Sequence, residues 1–352
     1  MNFNNSIRRA ERFVNTLSPA LPGVRKIRYL DNGGGRVIMK PYDTTPQGER
    51  NKMQKLIIRA DDVGYTDVCN IGTFETFHHG YSTTADVMLD APGIEDALKR
   101  LRDMPWISVG WHTHFWGSCV LEPSQVKTLV IPGTNRFRHD LRNAQDVDED
   151  EIMAECSAQV DRCVELLGRA PDVGVDHGDG SPFARALKAT SLKYGMAVNY
   201  GVRLHRDPAT GAVTYDSLEG RFKDKLFIAD NWNLGGLDLQ ETFRGVHDLY
   251  DGVDWLLKDT MKIHELPEGA ALMHGFHPGY VDYYVAHQGD YGPMAPLVTV
   301  TRAYDVEALC SQRLHDWIKE NHIELCNIRD ALYGTHEYQN HLRAIGSDLC
   351  VY

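Results

Sequence analysis

The chain has 352 residues, of which 42% are hydrophobic and 24% are charged. These proportions are typical of a folded globular protein and exclude collagen-like, coiled-coil and disordered sequences. The length suits one large α/β domain or two smaller ones. The 49 acidic residues outnumber the 37 basic residues and give a net charge of -12, which argues against a protein that binds nucleic acid through its phosphates.

Targeting and redox signals are weak in this sequence. No apolar run approaches the ~18–20 residues of a transmembrane helix. Residues 1–23 lack the apolar stretch of a secretory signal. The seven cysteines are scattered, and none of them forms a C-x-x-C pair. We therefore expect a cytoplasmic protein with no membrane or nucleic-acid partner; a homo-oligomer is compatible with the sequence.

Two regions are predicted along the chain. Residues 1–52 carry NGGG at 32–35 and no sustained periodicity, so they form an N-terminal extension of uncertain structure with a short strand at 35–39. From residue 53 to 352, short apolar runs alternate with amphipathic helix patterns. Residues 115–147 show weak hydrophobic periodicity and are predicted to form an insert, to which the sequence assigns no role.

The second region predicts a parallel sheet. Strands are predicted at 55–60, 84–89, 107–111, 172–175, 196–200, 226–229, 269–273 and 323–328, and helices at 68–79, 93–104, 148–167, 182–194, near 240–260 and 304–321. This alternation is typical of an α/β fold, and we expect a distorted or incomplete (β/α) TIM-like barrel of seven to eight parallel strands. An open doubly wound sheet is the main alternative. The G-x-G-x-x-G and P-loop patterns of nucleotide-binding proteins do not occur at the expected places.

Carboxylates and imidazoles follow four of the predicted strands. Because ligands bind at the carboxyl ends of parallel strands, these residues should meet at one rim. The four groups are Asp61-Asp62, His112-Thr113-His114, Asp176-His177-Gly178-Asp179 and His274-Gly275-Phe276-His277-Pro278-Gly279.

Each group alone has a structural explanation. An Asp pair can cap a helix, a histidine can lie in the core or on the surface, and His-Pro-Gly is ordinary turn chemistry. Their coincidence at one rim favours a metal site of one carboxylate and two imidazoles. Zinc is the first choice for such ligands, with Mn, Co, Ni and Fe(II) also suited and Mg less natural. The remaining carboxylate could act as a base and the remaining imidazole as an acid, as a hydrolase requires.

Several segments resemble the YdjC-like carbohydrate deacetylases, a family that includes chitooligosaccharide and hopanoid-pathway deacetylases. The segments occur in the family's order over roughly residues 54–333, and they are LIIRADDVGYTDVCNIGTFE, VGWHTHFWG, PDVGVDHGDG, MHGFHPGYVD and RAYDVEALCSQRLHDWIKENHIELCNIRDAL.

The resemblance implies a distorted (β/α) barrel that removes an N-acetyl group from an amino sugar or a short N-acetylated oligosaccharide and releases acetate. It implies Asp62, His112 and His177 as ligands of one divalent metal, Asp61 as general base, and His277 as general acid or oxyanion stabiliser. Sugar faces pack on aromatic rings. We therefore also expect substrate contacts from the rim residues Trp111, His114, Trp116, Asp179 and Tyr280.

Some positions depart from the family pattern. Arg59 stands where an Asn is usual, Trp111 where a Leu is usual, Val175 where an Asp is usual, and Asp179 where a second His is common. Three alternatives therefore stay open: an amidohydrolase of another small amide with both His112 and His114 as ligands, a non-heme Fe(II) oxygenase, and a catalytically inactive sugar-binding protein.

Overall fold

The computed structural model describes residues 53–174, 180–198, 200–206, 213–215, 228–230, 251–259, 263–266, 270–287 and 295–352, together with two short strands near the start of the chain. Two compact units are distinguished, Met1–Asn51 and Lys52–Tyr352. In the first unit, Leu30–Asp31 (β1) pairs antiparallel with Arg36–Val37 (β2). Strand β2 falls within residues 35–39, where a short strand was expected.

The second unit is built on one mixed but mainly parallel sheet. Its strands are β3 Gln54–Val63, β4 Thr84–Val87, β5 Ser108–Trp111, β6 Gly201–Arg206, β7 Val213–Tyr215, β8 Ile228–Asp230, β9 Ala271–Phe276 and β10 Ile323–Leu325. They lie in the order β5-β4-β3-β9-β8-β6-β7, and β10 pairs with β3. Among the described strand pairs of this second sheet, only β6 with β7 is antiparallel. The predicted parallel α/β architecture is therefore confirmed.

Helices follow most of the strands. They are α1 Asp67–His78, α2 Ile94–Arg102, α3 Glu149–Leu167, α4 Pro182–Lys193, α5 Asp254–Leu257, α6 Tyr283–His287, α7 Ala295–Leu309, α8 Gln312–Glu320, α9 Ile328–Tyr333 and α10 Glu337–Ala344, with short 3₁₀ turns at Pro123–Gln125 and Ile263–Glu265. Among these described residues, no helix has the length and apolar character needed to cross a membrane.

Helix α3 shows how local sequence sets the boundaries. The Asp148 carboxylate accepts the amide hydrogens of Asp150 and Glu151 at the start of the helix, and Gly168 ends it in a left-handed conformation with φ 90°. Ile152, Cys156 and other members of its apolar stripe are completely buried. The predicted helix at 304–321 is instead two helices, because Ser311 accepts the amide hydrogen of Leu314 and begins α8.

Two predicted strands are reduced to single parallel bridges. Val173 bridges Gly110 on one side and Ala197 on the other. The Trp111 amide donates to the Val173 carbonyl at 3.0 Å, and the Gly174 amide donates to the Ala197 carbonyl at 2.9 Å. Of the helix expected near 240–260, residues 240–250 and 260 lie outside the described part of the chain, and the described remainder contains the short helix α5 Asp254–Leu257.

The insert at 115–147 packs onto the main core. Its side chains Val126, Leu129 and Leu141 are almost wholly buried in the largest hydrophobic cluster. The buried Glu155 carboxylate of α3 accepts the amide hydrogens of Val120 and Leu121 at 2.8 and 3.1 Å. The segment is thus fixed against α3 and positions the residues that follow β5.

Candidate metal and catalytic site

The acidic pair lies at a distortion near the end of the central strand β3. The register between β3 and β4 shifts between Ala60 and Val63, and Asp62 has a positive φ of 57°. In a regular strand, two successive side chains point to opposite faces of the sheet. A bulge of this kind changes the local backbone direction, so that both side chains can point toward the same end of the sheet. Asp61 and Asp62 are both buried, at 0% and 2% exposure. Two buried carboxylates need nearby cationic groups.

Asp62 uses its two oxygens for different partners. Oδ2 accepts a hydrogen bond from Arg302 Nη2 at 2.5 Å, and this guanidinium lies 5.3 Å from the ring centre of Tyr65. Oδ1 lies 3.0 Å from His112 Nε2 and 3.4 Å from His114 Nε2. Burial alone would raise the pKa of Asp62, but Arg302 and the two imidazoles hold it well below its usual value.

The two imidazoles after β5 converge on the same point. His112 Nε2 and His114 Nε2 are 2.7 Å apart. Burial lowers the pKa of His112, but hydrogen bonds to Asp62 and Asp86 outweigh burial and raise it to about 10. Burial and the neighbouring His112 lower the pKa of His114 to about 4. At neutral pH, one imidazole is therefore charged and the other is neutral.

Asp86 in β4 is a site residue that sequence analysis missed. Its Oδ2 lies 3.4 Å from His112 Nδ1, the ring nitrogen that faces away from Asp62. A carboxylate in this position orients a ligand imidazole and raises its basicity. The facing residue of β5 is Gly110, where an added Cβ would lie 1.8 Å from Asp86 Oδ1. Only a glycine leaves room for this carboxylate.

Asp61 lies between a guanidinium and an imidazole. Arg59 donates to both of its oxygens, from Nε to Oδ1 at 2.6 Å and from Nη2 to Oδ2 at 3.0 Å. His277 Nε2 is 4.0 Å from Asp61 Oδ2. The His277 backbone amide donates to Asp305 Oδ2 at 2.8 Å, which anchors the turn after β9. The predicted acid and base residues are thus brought together.

These side chains fit a divalent cation. Two sets of ligand atoms lie within 4.8 Å of one another, Asp62 with His112 and His114, and Asp61 with Asp86 and His112. Nitrogen and oxygen donors of this kind suit zinc and similar metals. Within the described part of the chain, the buried carboxylates Asp61, Asp62 and Asp86 are paired with the two buried guanidinium groups of Arg59 and Arg302 and with His112, whose proton or a cation would balance the third negative charge. A metal would take the place of that proton.

The other residues predicted to bind metal or substrate lie in different environments, and some lie outside the described part of the chain. His177 and Asp179 lie outside the described residues, so their roles stay predictions. Trp111 is only 1% exposed and packs in the main hydrophobic core, and its contact with substrate stays a prediction. Trp116 stacks on the His114 ring with centroids 3.9 Å apart. Tyr280 is 39% exposed on the turn after His277.

Comparison with known proteins agrees with the resemblance drawn from the motifs. The family described as YdjC-like protein matches residues 55–320. The chain belongs to this family. The matched range contains every described residue of the carboxylate and imidazole cluster.

Two relatives of this YdjC-like protein are named as deacetylases. A carbohydrate deacetylase of Mus musculus is 27% identical over 302 residues, which cover 78% of this chain and 94% of that protein. Carbohydrate deacetylase 2 of Listeria innocua serovar 6a is 23% identical over 284 residues, covering 78% of this chain and 98% of that protein.

A solved structure supports the fold. A protein of Enterococcus faecalis V583, for which a role in cellobiose-phosphate cleavage has been suggested, superposes with a TM-score of 0.53 at 21% identity. The match covers 78% of this chain and 97% of that one. At this identity the likeness concerns the architecture alone.

Proposed function

We propose that this YdjC-like protein is a metal-dependent carbohydrate deacetylase that removes an N-acetyl group from an amino sugar or a short N-acetylated oligosaccharide. The observation that carries the proposal is the position of Asp61. This carboxylate lies next in sequence to Asp62, whose Oδ1 meets two imidazoles, and His277 is 4.0 Å away on its other side. The names of the relatives support a sugar amide as the substrate.

The metal would be held by Asp62 and His112. His177 completes the set in the family resemblance, and His114 is a further candidate because its Nε2 is 3.4 Å from Asp62 Oδ1. A bound divalent metal would supply Lewis-acid polarisation of the acetyl carbonyl and would acidify a water. Zinc fits these donors best; Mg, Mn, Co and Ni are alternatives.

The protein residues supply proton transfer and orientation. Asp61 accepts the proton of the attacking water. His277 then donates a proton to the amine leaving group, a role that contributes about 10²–10⁴-fold in general acid catalysis. With a side-chain exposure of 36%, His277 can reach both Asp61 and a bound substrate. The products are acetate and a free amino sugar.

We further propose that the sheet closes into a distorted barrel. The Gly110, Val173 and Ala197 bridges continue the sheet beyond β5, and Ala197 lies just before β6 at the other side of the strand order. Closure would bring the residues after β3, β4, β5 and β9 around one mouth. Trp116, His114 and Tyr280, with Asp179, would contact the sugar at this mouth.

Acetate release tests the proposal. The purified full-length chain is incubated with N-acetylglucosamine and with N-acetylated chito-oligosaccharides, before and after removal of metal by a chelator. We expect acetate from at least one sugar, loss of release after chelation, and recovery on addition of zinc. Release that survives complete metal removal would contradict metal dependence. Acetate from a small non-sugar amide but from none of the sugars would favour the amidohydrolase alternative, and oxygen uptake would favour an oxygenase.

A further inference from the structure

Arg59 holds the Asp61 carboxylate with a two-pronged hydrogen bond. Its Nε and Nη2 atoms donate to Oδ1 and Oδ2 at 2.6 and 3.0 Å. The two residues lie two positions apart on β3, so their side chains share one face of the strand. Arg59 is only 4% exposed. A bidentate guanidinium fixes the plane of a carboxylate as well as its position.

The surroundings of Arg59 are shaped to keep this geometry. Gly275 of β9 is the register partner of Arg59, and a Cβ added to it would lie 2.9 Å from Asp61 Oδ2 and 3.1 Å from Arg59 Nη2. Arg59 Nη1 contacts Met273 Sδ at 3.9 Å. The guanidinium is therefore held by the neighbouring strand and has little freedom to rotate.

Arg59 also connects Asp61 with Asp86, the carboxylate beside His112. Its Nε lies 3.4 Å from Asp86 Oδ2, and the same oxygen is 3.4 Å from His112 Nδ1. One side chain thus contacts the carboxylate proposed as base and the carboxylate that orients a metal-binding imidazole. Loss of Arg59 would therefore act on Asp61 directly and on His112 only through Asp86.

We propose that Arg59 is a positioning residue that orients Asp61 for proton abstraction, an inference that rests on the proposed function. Each carboxylate oxygen can accept more than one hydrogen bond. The guanidinium uses one site on each oxygen and leaves others to accept the proton of a water. Lysine cannot reproduce this role, because its ammonium group is a point donor without a planar fork.

Kinetics of Arg59 variants test the role in catalysis. Arg59→Ala should lower kcat by about 10²-fold, the scale expected for a misplaced catalytic group. KM should stay within a factor of about two, because Arg59 does not touch substrate in this account. Metal content is compared at saturating zinc and should be unchanged there, because Arg59 reaches the metal-binding His112 only through Asp86. Added guanidinium should restore part of the lost kcat. Arg59→Lys should remain impaired although it keeps the charge.

Arg329 provides the matched control. It is a partly buried arginine that also contacts two carboxylates, but its partners are Asp172 and Glu337. Arg329→Ala should lower stability and leave kcat unchanged. An equal loss of kcat in Arg329→Ala, loss of metal along with activity in Arg59→Ala at saturating zinc, or a folded Arg59→Ala that guanidinium does not rescue would overturn the inference. If Arg59→Ala does not fold, the kcat of Arg59→Lys decides, and wild-type kcat in that variant would overturn it.

Crystal structures of the wild type and Arg59→Ala give a readout independent of activity. We expect the Asp61 carboxylate to rotate away from its wild-type plane when Arg59 is removed. An unchanged carboxylate would overturn the inference. If the wild-type protein releases acetate from no sugar, the proposed function fails, and the orientation of Asp61 in the two crystals still decides whether Arg59 positions it.

Discussion

Arg302 and Asp62 form a buried ion pair in which Nη2 donates to Oδ2 at 2.5 Å, on the side of the carboxylate away from the two imidazoles. Arg302 is 1% exposed and Asp62 is 2% exposed. The pair joins α7 to β3 and leaves Oδ1 of Asp62 directed at His112 and His114. Arg302 therefore offsets the charge of Asp62 on one oxygen, while the other oxygen meets the two imidazoles.

Replacing Arg302 with Met should strongly destabilise the metal-free protein. Removing one partner of a buried ion pair leaves the other charge uncompensated and costs about 3–5 kcal/mol. Urea unfolding measures this loss, and added zinc should recover part of it. Arg313, which pairs with Asp251 and is 53% exposed, is the control. Equal effects of Arg302→Met and Arg313→Met would show that burial of the first pair does not matter.

Metal binding should release one proton near neutral pH. In the metal-free protein the pKa of His112 is raised to about 10, so its ring is protonated, whereas His114 with a pKa of about 4 is already neutral. The metal must displace the His112 proton, so its affinity should rise about tenfold per pH unit between about pH 6 and 8. Cobalt or zinc affinity measured at several pH values checks this slope. An affinity independent of pH over that range would contradict the assignment.

The raised pKa of His112 also fixes the sign of a stability effect. A folded pKa above the unfolded value means that the charged imidazole stabilises the metal-free fold most below about pH 6.5, and this contribution is lost as the pH rises toward about 10. His112→Gln should therefore show a smaller decline in stability over that range than the wild type. Chemical unfolding at intervals of pH measures the difference.

Asp86→Asn should weaken metal binding without removing a ligand. The change keeps the size of the side chain and removes the charge that faces His112 Nδ1, and loss of such an orienting carboxylate typically costs 10–100-fold in metal affinity, as an order of magnitude. Competition with a chelating dye measures the affinity. Asp96→Asn is the control, because the partners of Asp96 are Arg100 and Asn70, outside the carboxylate and imidazole cluster. Wild-type affinity in Asp86→Asn would rule out the orienting role.

Trp116→Ala should weaken substrate binding more than it changes turnover. Trp116 stacks on His114 beside the imidazole pair, so its ring lies where a sugar face could pack. We expect KM to rise several-fold with metal content unchanged. Trp106 stacks on His341 at the same centroid distance of 3.9 Å and serves as the control. A similar rise of KM in Trp106→Ala would point to a general loss of packing.

Sequence patterns predicted the parallel α/β architecture because strand and helix periodicities are local properties. They also placed Asp61, Asp62, His112 and His277 at strand ends, and the structure brings these residues together. The resemblance to YdjC-like deacetylases is confirmed by the family match over residues 55–320. The metal and the roles of individual residues stay predictions.

Asp86 was missed because it lies inside a short buried strand and not after its end. A carboxylate within the apolar run Thr84–Leu89 was the available signal, and the glycine opposite it in β5 becomes visible only when the register is known. Trp111 ends β5 and packs in the main hydrophobic core. The strand pattern placed it at the end of β5, but its burial depends on packing that local periodicity does not encode.

The most direct test of the account compares Asp61→Asn with Asp62→Asn in turnover and in bound metal, measured on the same purified samples. We expect Asp61→Asn to lose acetate release while keeping wild-type metal content, and Asp62→Asn to lose both. Loss of metal from Asp61→Asn with metal retained by Asp62→Asn would contradict the account, because it would exchange the roles of the two carboxylates.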